Sequence, residues 1–363
     1  MTHELREHIQ RVIARSKAFY AARTPGHFLI HASYPAPAGP AAPLPPLWDY
    51  DLCDVRQLHA YLGTRLDAGR AARAARGGLE DDSIPAAFPY FGIAEHSAWL
   101  GMDVRLQEST CLPLPLIERP EDLDRLEMSE HTPWFEIMRE GYSYLRSRAD
   151  GTFVLGVRGT MMPMDLANAM RGDELFTDFL LDPEFAHRLL DFCTRAVEWY
   201  YERLTSWADE LDGGHVFAMG AGWLGPHCLG HVSNDAAFMC SATVYEEFGF
   251  PYEERLSRGY GGLLYHVHNE KLQFVPRLVQ LPRLALLEIS QDPRTPPPVE
   301  DLPRIFANTG SANLLLHMSS DQTRKHVEEL KQRNVFLDVH CRDRVDANDI
   351  VAFVRSHSAN NGE

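Results

Sequence analysis

The chain has 363 residues, 45% hydrophobic and 24% charged, the balance of a soluble globular protein with a large core. Its formal charge of −16 argues against nucleic acid or an anionic membrane as the main partner. No segment approaches the roughly 20 apolar residues of a membrane span. The charged start, Met1 to Tyr20, lacks a signal peptide's apolar stretch, so a cytoplasmic location is expected. Six scattered cysteines (Cys53, Cys111, Cys193, Cys228, Cys240, Cys341) form no C-x-x-C pair and are expected to be reduced.

In chain order, Leu5, Ile9, Val12, Ile13 and Phe19 fall near helical spacing and predict an amphipathic opening helix. His27 to Ser33 reads as strand one. Prolines crowd the stretch from Pro35 to Pro46, which excludes helix and central strand and predicts an extended connection, either inert or a lid. Cys53 to Gly78 and Trp134 to Arg148 read as helices. Phe153 to Arg158 is strand two, followed by a long helix from Pro183 to Leu211. His215 to Met219 is strand three and Val232 to Asp235 strand four. Strands five to eight are Leu263–His268, Leu284–Ser290, Asn313–Met318 and Val335–His340, each followed by a helix. Eight strands alternating with helices predict one (β/α)₈ TIM barrel domain over 1–363. Residues 1–150 supply the opening helix, strand one, the proline loop and a helical excursion over the barrel mouth; 151–356 supply the rest.

In such a barrel the strand ends meet on one face. Residues two apart on a strand share a side, so His266 and His268 point together, as two metal ligands or an acid/base pair would. Cys341, after strand eight, adds a thiolate, and the three meet the ligand count of catalytic zinc. Glu288 is a fourth ligand, a carboxylate supporting the ligands, or a salt bridge at the rim. Arg158 either grips a substrate carboxylate or phosphate or pairs with a barrel acid. Asp235 contacts substrate or caps a helix. Trp223, His227 and His317 are candidate substrate-binding residues. By strand alternation His340 points away from Cys341, and Tyr265 toward the helices.

Several short motifs carry a family resemblance. They are Pro163-Met164-Asp165-Leu166-Ala167, Met170-Arg171-Gly172, Asp178 to Glu184, Ser233-Asn234-Asp235, Tyr245-Glu246-Glu247-Phe248, and Gly261-Gly262-Leu263 leading to His266-Val267-His268-Asn269. In order and spacing they resemble the uroporphyrinogen decarboxylase superfamily over about residues 80 to 345. This superfamily also contains zinc-dependent methyltransferases that work with corrinoid proteins. The decarboxylases' Arg-rich N-terminal motif is missing from His27 to Ser33, which favours the methyltransferase branch. There the resemblance implies zinc ligands at His266 and Cys341, with His268 standing where the family has Cys. It implies zinc and a partner-borne cobalamin as cofactors, and a small-molecule substrate and a corrinoid protein as partners; a homodimer stays open. Two imidazoles and one thiolate leave zinc at +1, a Lewis acid suited to an oxygen substrate such as a methyl ether. The alternatives are a decarboxylase or lyase acting on a small carboxylate and a non-catalytic ligand-binding barrel.

Overall fold

The computed structural model describes residues 1–35, 44–217, 222–270 and 272–359. Eight parallel strands form the barrel: β1 Phe28–Ser33, β2 Ala86–Ala87, β3 in two pieces (Val154–Leu155 and Thr160–Met161), β4 Cys228–Ser233, β5 Gly262–His268, β6 Leu284–Ser290, β7 Leu314–Ser319 and β8 Val335–His340. A continuous ladder runs β1-β8-β7-β6-β5-β4-β3, the last through Thr160–Met161. The other piece of β3 pairs with β2. Between β1 and β2 one backbone bond, Asp82 N–H to Ile30 C=O at 2.7 Å, closes the circle. Side chains complete that seam. Asp82 accepts from Ile30 N–H at 2.8 Å and Asp81 from Ala32 N–H at 2.9 Å. Both carboxylates are buried, and Arg15, Arg355 and Arg76 balance them.

The strand numbering read from sequence needs two corrections. Phe153–Arg158 lies at the third barrel position; the second is Ala86–Ala87, too short for any alternation to show. His215–Phe217 is not a barrel strand. It forms an antiparallel hairpin with Gly222–Leu224 and touches the barrel through a Val157–Phe217 bridge. The excursion expected within residues 1–150 therefore contains a barrel strand, and its helices Val55–Arg76 and Pro133–Ser147 follow β1 and β2 as barrel helices do. Tyr61, Trp99 and Phe135 from this region share one continuous core with the barrel.

The two ends of the barrel differ. At the amino end the helix His3–Ala21, capped by the Thr2 hydroxyl, packs Leu5, Ile9, Val12 and Ile13 on Ile84, Val154, Val216 and Trp223. This apolar plug closes the floor. At the carboxyl end the inward residues are His31, His231, His266, Glu288, His317 and Asp338, a polar ring. Most of the proline-rich connection, residues 36–43, lies outside the described residues; beyond it Leu47–Asp49 form a single 3₁₀ turn. Among the described residues no helix is long and apolar enough to cross a membrane.

Candidate metal centre

Glu288 is the hub of the ring. β5 and β6 pair His266 with Glu288, and β4 and β5 pair Ser233 with His266. His231 lies two residues before Ser233 and turns to the same side. Its Nε2 lies 2.9 Å from Glu288 Oε2, and His266 Nδ1 lies 3.0 Å from the same oxygen. One ligating atom from each of His231, His266 and Glu288 lies within 4.8 Å of the others, the one such group of three among the described residues. His266 Nδ1 is buried and, despite its proximity to the carboxylate, makes no hydrogen bond, because the two are not in line. His231 is hydrogen-bonded to this oxygen, whereas His266 Nδ1 approaches it off-axis, so the three donor atoms leave room for a cation to take the place of that contact. Two histidines and a glutamate are also an established catalytic zinc donor set with an open fourth position.

Glu288 is anchored from behind. Its other oxygen lies 2.6 Å from His317 Nε2, and His317 Nδ1 lies 2.8 Å from Asp338 Oδ2. Carboxylates only accept, so both nitrogens of His317 donate and the ring is an imidazolium. Burial opposes that charge, but Asp338 and Glu288 override it and raise its pKa to about 10. Burial likewise works against the Glu288 carboxylate, yet His231, His266 and His317 hold it well below the usual range. Asp338 also meets His31 Nδ1 at 2.8 Å, and Arg76 donates to His31 Nε2 at 2.9 Å. Arginine only donates, so His31 is neutral with its proton on Nδ1.

The predicted trio of His266, His268 and Cys341 does not assemble. His268 extends beyond the centre, its Nε2 3.2 Å from His266 Nε2 and its Nδ1 3.4 Å from Asp292. Cys341 faces the helix layer. Asp338 points inward and His340 meets Ser33 at the mouth, so by alternation Cys341 turns outward. Its thiol lies 3.7 Å from Val339 O, and burial with nearby Asp346 pushes its pKa up to about 12. Tyr265 does point away from the mouth, its hydroxyl on buried Glu253.

A cavity of about 400 Å³ opens beside the centre, walled by His231, His266, Arg158, Asp165, Asp235 and Thr160. Tyr90, Ile93 and Pro113 form its outer wall, so the segment after β2 does reach the mouth. A larger open groove along the helix Pro183–Trp207 holds none of these groups. Arg158 is buried against Glu95 and donates to Gly92 O and Gly159 O, so of its two expected roles the barrel ion pair is the one formed. Asp235 is exposed on the cavity wall and stands at the N-cap of the 3₁₀ turn Ala236–Met239, but its side chain makes no capping bond; Asp165 accepts the Ala236 N–H at 2.7 Å and Asn234 the Ala237 N–H. Burial and the neighbouring Asp235 push the Asp165 carboxyl up to about 7. His317 supports Glu288 but does not wall the cavity. Trp223 and His227 are not at the site. Trp223 is part of the amino-end plug, bonded to Leu211 O, and His227 precedes β4, stacked on Tyr260.

Sequence reasoning missed His231, Asp165 and the His31–Asp338 pair. His231, Ser233 and Asp235 do alternate, but the sequence pattern starts strand four at Val232, and one extra residue relative to β5 lies just before it. Register pairs Leu229 with Leu263 and Val232 with Tyr265, so Gly230 and His231 together face Leu264. This is a β-bulge, and His231 occupies the left-handed region at φ +49°.

The family profile of uroporphyrinogen decarboxylase (URO-D) matches residues 53–207. No curated protein sequence matches the chain. Among solved structures it is similar to a methyltransferase from Methanosarcina mazei, with a TM-score of 0.59 over 95% of this chain and 98% of that one, at 10% identity. That identity speaks to the fold alone. The motifs, the barrel and the profile match over residues 53–207 agree in likening the chain to the uroporphyrinogen decarboxylase superfamily.

Proposed function

We propose that this protein is a metal-dependent methyltransferase of that superfamily, with His231, His266 and Glu288 holding zinc. The observation that carries it is the convergence of three donor atoms, two of them on residues that line the cavity and one of these a buried His266 nitrogen without a hydrogen bond. Two neutral imidazoles and a carboxylate leave zinc at +1, so when bound it supplies Lewis acidity to a substrate oxygen or sulfur. His317 and Asp338 fix the Glu288 carboxylate, as groups behind metal ligands do. Asp165, neutral below about pH 7, can donate a proton to a substrate oxygen. The open mouth admits a methyl donor or acceptor, for which a corrinoid-bearing protein is the proposed partner. Arg158 is already neutralised by Glu95, which leaves no free guanidinium in the cavity for a substrate carboxylate and disfavours the decarboxylase reading.

The test is elemental analysis of freshly purified protein, then methyl transfer from methyl ethers with a cobalamin protein as acceptor. About one zinc per chain and transfer that requires the metal are expected. His231→Ala, His266→Ala and Glu288→Ala should each lose metal and transfer together, while Cys341→Ala keeps both. Metal retained in the first three variants, or lost in the last, would overturn the assignment.

A further inference from the structure

We infer that the hydroxyl of Tyr201, on the helix outside the barrel, positions His231 by locking the β4 bulge. The bulge removes Gly230 from the β4–β5 ladder and would leave its backbone groups unpaired inside the protein. One phenol satisfies both. Gly230 N–H donates to the Tyr201 oxygen at 2.5 Å, and the Tyr201 hydroxyl donates to Gly230 C=O. Tyr201 is 1% exposed, and Phe217 and Tyr260 pack on its ring, so the hydroxyl has no other place to go. A Cβ on Gly230 would lie 2.2 Å from the Phe217 ring, so the bulge also requires glycine there.

The next residue takes up the bend. His231 enters the left-handed region, and its imidazole swings over β5 to Glu288, with the His266 ring 5.1 Å away. The opposite flank is equally tight. A Cβ on Gly159 would lie 2.3 Å from His231 O and 3.0 Å from His231 Nδ1, and Arg158 pins that glycine by its carbonyl. His231 is thus held between a helix-borne phenol and a bare backbone. Tyr201 touches neither the cavity nor a donor atom; it is a positioning residue.

The functional half of this inference rests on His231 being a metal donor, and the experiment separates the two. Apo-protein is titrated with cobalt(II), followed by its visible bands. Tyr201→Phe, which keeps the ring, should weaken cobalt binding about tenfold or more. In a His231→Ala background the same change should alter affinity by less than about twofold, because the path through His231 is already cut. Gly159→Ala should repeat this pattern from the other flank. Unchanged affinity in Tyr201→Phe, or an equal loss in both backgrounds, would overturn the inference. If the wild type binds no cobalt, the metal reading fails and crystal structures decide the rest. His231 Nε2 should leave Glu288 in Tyr201→Phe, and an unmoved imidazole would refute the positioning role.

Discussion

His231 stands in a backbone conformation that a β-carbon resists, at φ +49°, and such residues cost on the order of 1–3 kcal/mol and collect at functional sites. Asparagine tolerates this region better. His231→Asn should therefore be as stable as the wild type or more so, by about 1 kcal/mol in urea unfolding, yet lose its metal on gel filtration. A variant that is clearly less stable would show that His231 is there for packing. The same residue explains what the sequence concealed. His266 and Glu288 were legible because ordinary strands obey two-residue alternation. His231 was not, because the sequence pattern starts strand four at Val232 and the bulge just before it carries His231. Cys341 was misplaced for the opposite reason. Alternation holds in β8, and with Asp338 inward it turns the thiol toward the helices.

Among the elements, β2 and the seam it makes with β1 were the least legible. Two residues of strand carry no period, and the closure depends on the side chains of Asp81 and Asp82, which replace ladder bonds. The longer strands β5 to β8 were readable as apolar runs, since parallel strands covered by helices are buried on both faces. The hairpin His215–Phe217 misled because its three residues look like any short strand. The seam has a measurable consequence. Asp82 is 1% exposed, accepts from Ile30 N–H and pairs with Arg15 and Arg355. Removing one partner of a buried ion group leaves the others uncompensated, so Asp82→Ala should lose about 3 kcal/mol of stability. Asp82→Asn keeps an acceptor for the backbone N–H and should lose less. Equal losses in urea unfolding would assign the effect to charge alone.

Over the whole molecule, an apolar plug at the amino end leaves the carboxyl end free to gather charge, and stability should depend on pH through that end. Asp165 gives the clearest case. Burial and the Asp235 carboxylate raise its pKa from the usual 3.8 to about 7. Between those values the folded protein holds a proton that the unfolded chain has released. Stability contributed by this group is therefore full below about pH 4 and is lost as pH rises through 7. Asp165→Asn removes the titration while its amide oxygen can still accept the Ala236 N–H. Wild type should thus lose stability relative to the variant between pH 5 and pH 7.5, by on the order of 1 kcal/mol after allowance for partial exposure. The comparison is made by urea unfolding of metal-free protein, so that metal binding cannot supply the slope. The same proton matters for chemistry. If Asp165 donates to a substrate oxygen, methyl transfer from an ether should fall above pH 7 in the wild type, whereas transfer to or from a thiol, which needs no such donor, should not. A stability difference that stays flat with pH would mean Asp165 is ionised throughout, and the cavity would then present two carboxylates to its substrate instead of one carboxylate and one acid.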